Sequence, residues 1–322
     1  MACNEENRRN YKRIIDSLRS DTMVLSIGID CNGEDWRASL LENGRTLELR
    51  PLNDVRAALE YVRHICSFYP EPVIAVSARK DGYPTHLTAT ANTSVSNGTS
   101  PHNHGENKVH DFLLALESVY FNTYYLPSIR QLASVPLYRK QYRLDMGSSG
   151  DLCAVTTLTF RMRKQEASWQ EMRFFYLTAG CHSRSIIVVE DGRIVDGIGE
   201  TSAGFSTLQH GSIDHVAWQD ILKSEAIAEQ AYWESLTQDL AGLMAIHQLE
   251  DIVVNGQRKD NVIEWLNDRY QCYLFPRSDD EQPGYEVAIG AAIIAEGLYH
   301  PGLANEVVER LQTSPIKLGM LE

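Results

Sequence analysis

The sequence has no apolar run approaching the roughly 18 residues of a membrane span, and its opening stretch, MACNEENRRNYKRIIDSLRS, carries charge where a secretory leader carries about 7–15 apolar residues. Membrane insertion and export are not expected; a cytoplasmic location is. The six cysteines (Cys3, Cys31, Cys66, Cys153, Cys181, Cys272) never form a C-x-x-C pair, so neither a zinc site nor a disulfide framework is indicated. Positive charge is scarce: 30 Lys and Arg against 43 Asp and Glu leave a formal net charge of −13. That balance repels nucleic acid and anionic lipid, so a small anion would need a focused site of backbone N–H groups. The sequons at Asn92 and Asn97 matter only in an exported protein, and His102, His104 and His110 lack a carboxylate or thiol at ligand spacing.

What is present suits a globular α/β protein. At 322 residues the chain is long enough for two domains, each burying its own core. MVLSIGID (23–30) reads as a buried strand ending on Asp30. WRASLLENGRTLELRPL follows as a hairpin turning on Asn43 and Gly44. Residues 53–68 have helical spacing, and PVIAVSA (72–78) is a second buried strand. The polar stretch 88–107 has no period and reads as a loop or lid, with a helix resuming from His110 through FNTYYL.

The second half repeats this opening. FFYLTAGCHSRSIIVVEDGRIVDGIG (174–199) again gives a buried strand, a small-residue bend, and a hairpin, here turning on Asp191 and Gly192. Residues 215–248 are helical, DIVVNG (251–256) is another buried strand, and NVIEWLNDRY is a helix after it. EVAIGAAIIAEGL (286–298) is a small-residue helix suited to close packing. Duplicated α/β halves imply a cleft between two lobes, expected at 1–142, with the polar loop, and 143–322, with a helical insertion at 207–248.

Chemistry-bearing residues gather at the bends. In IGIDCNGED (27–35), a carboxylate at a strand end followed by Asn32 and Gly33 lets backbone N–H groups approach phosphates while Asp30 holds hydrated Mg²⁺ or polarises a nucleophile. An ordinary hairpin whose Asp caps the turn has the same sequence. TAGCHSRS offers Gly180, His182, Ser183 and Arg184 for gripping the same phosphates from the other lobe. In VVNGQRKD, Asn255, Gly256 and Arg258 sit where a base or ribose rests on a helix N-terminus, although plain strand-to-helix packing looks identical. RLDMGSSGD packs Asp145, Ser148, Ser149 and Asp151 into a nest-like loop able to bind an anion or position a metal. Glu200 and Thr201, among Gly197, Gly199 and Gly204, suit the substrate end of the cleft, and HGSIDH adds His210 and His215 as weaker candidates.

Taken in order, VLSIGIDCNGEDWRASLLENGR, DMGSSGD, EDGRIVDGIGETSAG, IVVNGQ and GYEVAIGAAIIAEGL resemble an uncharacterised prokaryotic family sometimes labelled predicted butyrate kinases, within the acetate and sugar kinase, heat-shock chaperone and actin superfamily. The resemblance spans roughly residues 23–300. It implies two ribonuclease-H-like lobes, as in actin-like ATPases, with ATP and Mg²⁺ between them. It makes 27–33 (Gly28 to Gly33) the first phosphate loop, with Asp30 as its acid, 178–184 the second, and 254–258 the adenosine segment. Two departures stand out: Thr178 replaces the acid usual in the second loop, and bulky Gln257, Arg258 and Lys259 follow Gly256.

Two functions follow from this reading. One is an ATP- and Mg²⁺-dependent small-molecule kinase, its acceptor a carboxylate by the family label. There Asp30, Asp145 and Glu200 are the catalytic acids, Ser148, Ser149, Asp151 and Thr201 face the substrate, and Arg184 and Arg258 form a cationic clamp. The other is a catalytically degenerate relative acting as a regulatory or partner-binding subunit. A homodimer or a protein partner fits either.

Overall fold

The computed structural model describes residues 25–32, 35–69, 72–78, 103–117, 122–181, 183–207, 210–278, 281–313 and 316–317. Strands β1 (Leu25–Asp30), β2 (Trp36–Glu42) and β3 (Arg45–Leu52) form an antiparallel meander. Asn43 (φ 48°) and Gly44 (φ 69°) turn its hairpin with the left-handed pair of dihedrals that matches strand twist. Helix α1 (Val55–Phe68), capped by Asp54, leads to β4 (Val73–Ser77), and α2 (Asn103–Glu117) leads to β5 (Thr123–Tyr125). Both strands lie parallel to β1. The stretch expected as one helix from His110 is therefore a helix ending at Glu117 and a short strand. β-branching and aromatic rings at Thr123, Tyr124 and Tyr125 favour the pleat.

Beyond Ile129–Gln131 (a 3₁₀ turn) and α3 (Leu137–Tyr142) comes α4 (Ser149–Lys164), then a 3₁₀ turn at Trp169–Glu171. A second meander follows: β6 (Phe174–Ala179), β7 (Arg184–Glu190) and β8 (Arg193–Ile198), turning on Asp191 (φ 50°) and Gly192 (φ 71°). Helices α5 (His215–Ile221) and α6 (Glu225–His247) form the insertion. Then come β9 (Asp251–Asn255), α7 (Lys259–Leu266) and β10 (Gln271–Leu274), both strands parallel to β6. The chain continues through α8 (Glu286–Tyr299), α9 (Leu303–Leu311) and β11 (Ile316–Lys317).

The sheets have orders β11-β5-β4-β1-β2-β3 and β10-β9-β6-β7-β8. With β11 omitted, the two orders correspond strand for strand, β5-β4-β1-β2-β3 with β10-β9-β6-β7-β8. Even the register irregularities correspond, between Leu40 and Leu41 in β2 and between Val188 and Val189 in β7. This is the three-strand meander extended by two parallel strands that defines a ribonuclease-H-like lobe, present twice.

Helices α4 and α8 form the layer between the sheets. One face of the first sheet (Ile27, Ile29, Trp36, Val76) packs with Tyr61, Val62 and Phe112 of α1 and α2. The other face joins Leu152, Ile289, Ile293, Tyr176 and Ile187 in one core shared with the second sheet. The outer face of the second sheet packs with Tyr232, Leu236 and Leu240 of α6. Small residues permit the central contacts. A Cβ on Gly28 would fall 2.0 Å from the Ala288 carbonyl oxygen of α8, and one on Gly290 would fall 1.9 Å from that of Cys153 in α4. The first sheet is thus completed by α8 and β11, from beyond the second sheet in sequence. Among the described residues no single helix is long and apolar enough to cross a membrane.

Candidate functional site

The carboxyl ends of β1, β4, β6 and β9 and the N-terminus of α4 open onto one cavity of ≈ 980 Å³, lined from both sheets. Strand carboxyl ends are where open α/β sheets bind ligands, and this volume lies at the upper end of small-molecule sites. Lining it are Asp30, Asn32, Asp145, Ser148, Ser149, Asp151, Gly180, Ser183, Arg184, Glu200, Thr201, Asn255 and Gly256. Gly33 and His182 lie outside the described residues, as do His102 and most of the polar stretch 88–107.

Asp30 is buried, with 4% of its surface exposed. Its Oδ1 accepts from the Asn32 backbone N–H (2.9 Å) and from Asn32 Nδ2 (2.6 Å), so it does cap its own turn. Asn32 Nδ2 also donates to Ser77 Oγ (3.0 Å), which meets Ser149 Oγ (3.0 Å) at the start of α4. Among the described residues both hydrogen bonds to Asp30 fall on Oδ1, and Oδ2 has none. Burial pushes its carboxyl up to about 6, against the bonds from Asn32 and the positive charge of Arg37, with Glu286 adding to the rise. A buried, incompletely bonded carboxylate of this kind is poised to take a cation or a proton.

The other acids are more fully engaged. Asp145 Oδ1 accepts from the Gly147 N–H (3.0 Å), and its Oδ2 accepts from the N–H and Oγ1 of Thr201 (2.9 Å each). A Cβ on Gly199 would fall 1.8 Å from Asp145 Oδ1, so this acid is wedged under the loop after β8. Asp151 is the third residue of α4 and forms a capping box with Ser148. Its Oδ2 accepts from Ser148 N–H and Oγ (2.8 Å each), and its Oδ1 accepts from Ser185 Oγ (2.6 Å) and Thr178 Oγ1 (3.3 Å). Four donors fill a carboxylate's capacity, so Asp151 organises the site rather than facing a substrate. Residues 148–151 are thus a helix start, not a free nest; the Ser-x-x-Asp spacing was the signal for it. Glu200 accepts from Ser183 Oγ (2.6 Å), tying the turn before β7 to the loop after β8.

Three expected cofactor contacts are engaged elsewhere, although Arg184 is among the lining residues. Gly28 faces α8, where only a missing side chain lets strand and helix backbones touch. Arg184 is 1% exposed, and its guanidinium donates to Phe205 O (2.7 Å), Ser235 Oγ (2.8 Å) and Asp239 Oδ2 (2.7 Å), so its charge is spent inside the second lobe. Arg258 pairs with Glu229 and stacks over Tyr232 and Trp233, outside the cavity lining. The bulk that the sequence puts after Gly256 is therefore partly turned away. Gly256 (φ 99°) makes the turn possible, with its Cα against the Ala179 backbone.

Reading the sequence missed Arg37, Arg277 and Glu286, all of which line the cavity. Arg37 pairs in register with Asp30 and stacks over Tyr285 (5.8 Å); a positive charge near the start of a mostly apolar strand was its only trace. Glu286 Oε1 accepts from Asn255 Nδ2 (2.9 Å) and Arg277 Nη2 (2.8 Å), while its buried Oε2 has no partner among the described residues. Burial raises its carboxyl, but the bonds from Arg277 and Asn255 outweigh that and hold it below the usual carboxylate range. The Asn255 side chain, bonded also to Tyr176 and Arg277, is wholly engaged in this network.

The donor set fits magnesium carried by a nucleotide. Among the described residues no group of three or more His, Cys, Asp or Glu side chains forms a dedicated metal cage. Mg²⁺ ordinarily needs only one or two carboxylates beside phosphate oxygens and water, and Asp30 with its unbonded Oδ2 meets that need.

Two ribonuclease-H-like lobes sharing one cleft, with an acid at the end of the first strand, define the class. The chain belongs to the family described as "Protein of unknown function (DUF1464)", whose model matches residues 50–234, more than half of its length. No curated protein matches it. Among solved structures it is similar to an inorganic polyphosphate/ATP-glucomannokinase from Arthrobacter sp. strain KM (14% identity, 86% of this chain and 100% of that one, TM-score 0.48). Acetate kinase from Entamoeba histolytica also resembles it (12% identity, 77% and 86%, TM-score 0.47). So does the activator of the 2-hydroxyisocaproyl-CoA dehydratase from Clostridium difficile, with bound ADPNP (10% identity, 89% and 96%, TM-score 0.43). Likenesses this distant carry nothing about function.

Proposed function

We propose that the protein is an ATP- and Mg²⁺-dependent phosphotransferase acting on a small acceptor, with a carboxylate acceptor, and so an acyl-phosphate product, the version the sequence resemblance favours. The observation that carries the reading is Asp30: a buried carboxylate with one oxygen unbonded among the described residues, at the strand end where both lobes line one cavity. Magnesium, when bound with the nucleotide, would be held by Asp30 and would neutralise phosphate charge.

This chain's own residues do the rest. Gly256 and Gln257 at one turn, and Gly180 and Ser183 at another, line the cavity from the second lobe. Among the lining arginines, Arg37 and Arg277 supply positive charge in place of Arg184, whose guanidinium is engaged inside the second lobe, and of Arg258, which lies outside the lining. Asp145, Asp151 and Glu200 hold the surrounding loops rigid, which serves a reaction whose rate comes from positioning and charge neutralisation.

Thermal unfolding with and without Mg·ATP tests the reading. Binding to the native state at 100 times Kd adds about 2.7 kcal/mol, a clear rise in Tm. No shift at millimolar Mg·ATP excludes the phosphotransferase. Given a shift, hydroxylamine trapping across short carboxylic acids tests the acceptor. Binding without turnover on any acceptor would support the regulatory alternative, which the engagement of Asp145 and Asp151 in structural bonds favours.

A further inference from the structure

Tyr232, on the inserted helix α6, has the guanidiniums of two arginines over its ring, and they start from different turns of the cavity wall. The Arg184 guanidinium lies over its ring at 5.2 Å and that of Arg258 at 4.6 Å. Arg184 begins β7, directly after the turn in which the Gly180 N–H donates to Ser183 O (2.8 Å). Arg258 ends the turn at Gly256, and its own N–H donates to Ala179 O (3.0 Å). The two turns therefore touch each other and are both anchored to one ring.

The anchoring extends along α6. Arg184 reaches Ser235 and Asp239, and Asp239 Oδ2 also accepts from the Gly204 N–H (2.9 Å). Arg258 reaches Glu229, which accepts from Trp233 Nε1 (2.7 Å). Trp265 of α7 stacks on Trp233 (5.6 Å, 26°) and donates to Thr237 Oγ1 (3.1 Å). Nothing in the packing of the second sheet alone calls for two cations on one ring, where each desolvated pair strengthens the hold on the other's turn. Among the described residues the buried Tyr232 hydroxyl has no hydrogen-bond partner, so the ring, not the hydroxyl, makes these contacts.

We propose that Tyr232 is a positioning residue that sets the two second-lobe turns, at Gly180 and at Gly256, in register with each other, so that α6 governs how tightly the cavity holds a nucleotide. The nucleotide part rests on the function proposed above; the coupling of the turns does not.

Amide hydrogen exchange on the full chain, read at Gly180 and Arg258, separates the two. In Tyr232→Leu, exchange is expected to rise at least about tenfold at both amides while β1 and β4 keep wild-type protection, and Tyr232→Phe is expected to behave as wild type. Mg·ATP should bind Tyr232→Leu about tenfold more weakly and Tyr232→Phe normally. Arg258→Gln breaks one arm only and provides the test should Tyr232→Leu not fold: exchange at Gly180 must rise too, through the shared ring. A rise at one amide alone, at neither, or across the whole second sheet overturns the coupling. Coupled exchange with nucleotide affinity unchanged in Tyr232→Leu overturns its role in binding. Wild-type protein that binds no nucleotide, with the amides still coupled, removes the phosphotransferase and leaves the positioning role in place.

Discussion

Thr178 Oγ1 donates to Asp151 Oδ1 across 3.3 Å, joining the residue that stands where an acid is missing to an acid from another part of the chain. The registers make the equivalence plain. Asp30 pairs with Arg37 and Ser77, and Thr178 pairs with Ser185 and Asn255, at matching places in the two sheets. The second lobe has an acid after all, delivered by α4 and bonded by both Thr178 and Ser185.

That acid's work is structural, and its substitution should show it. Asp151→Ala leaves the Ser148 N–H, Thr178 and Ser185 without their acceptor and is expected to cost about 2–3 kcal/mol in chemical denaturation. Asp151→Asn should recover most of the loss, because hydroxyls can rotate to accept from the amide, and should keep whatever ATP-dependent activity the wild type has. Loss of that activity with stability intact would return Asp151 to the chemistry.

Asp30 should trade stability for function. Burial pushes its carboxyl up to about 6, above the usual carboxylate value of 3.8, so the folded form holds its proton more tightly. The contribution is fully present below the unfolded value and is lost as pH rises through about 6, leaving a cost on the order of 2–3 kcal/mol at neutral pH. Asp30→Asn removes the charge and keeps an acceptor for Asn32. Calorimetry is expected to show Tm raised by several degrees near about pH 8 and little changed near about pH 4, with Mg·ATP-dependent turnover abolished. An unchanged Tm near pH 8 would show that the buried charge is already compensated.

Glycine substitutions should split by what a methyl would meet. Gly28→Ala and Gly290→Ala drive a Cβ into helix backbone at 2.0 Å and 1.9 Å, and each is expected to cost about 3 kcal/mol or more, or to prevent soluble expression. Gly242, exposed on α6 with nothing within 4 Å, should gain about 0.5–1 kcal/mol as alanine. Equal effects at the three positions in urea unfolding would contradict the packing described.

Thiol labelling should report on the cavity. Cys31 and Cys153 are sealed by burial, which pushes their thiols far up, whereas Cys181 is exposed beside Gly180. Among the described cysteines, mild alkylation followed by peptide mass spectrometry should mark Cys181 first, and Mg·ATP should slow it if the nucleotide rests on that turn.

Much of the fold was legible because its punctuation is local. Asn43-Gly44 and Asp191-Gly192 announce the two hairpins, and each meander's first strand is an unbroken apolar run. The site was only half legible, for a physical reason. Strand ends and glycine turns mark where a cavity lies, but which way a long side chain points depends on neighbours far away in sequence. Arg184 and Arg258 turn toward Tyr232, while Arg277, outside every motif, and Glu286, read only as the start of a packing helix, turn toward each other. The start of α4 was hidden by Ser, Ser and Gly, weak helix formers that serve as its cap and first turn.

The closure of β1 against α8 also orders events at the ribosome. Gly28 emerges early, but the backbone that covers it is made only after the entire second sheet. The first lobe must wait with one apolar face bare, and its completion depends on contacts of long sequence separation, which slow folding. Chains cut short before Glu286 would leave that face permanently open, a surface for chaperones rather than for substrate.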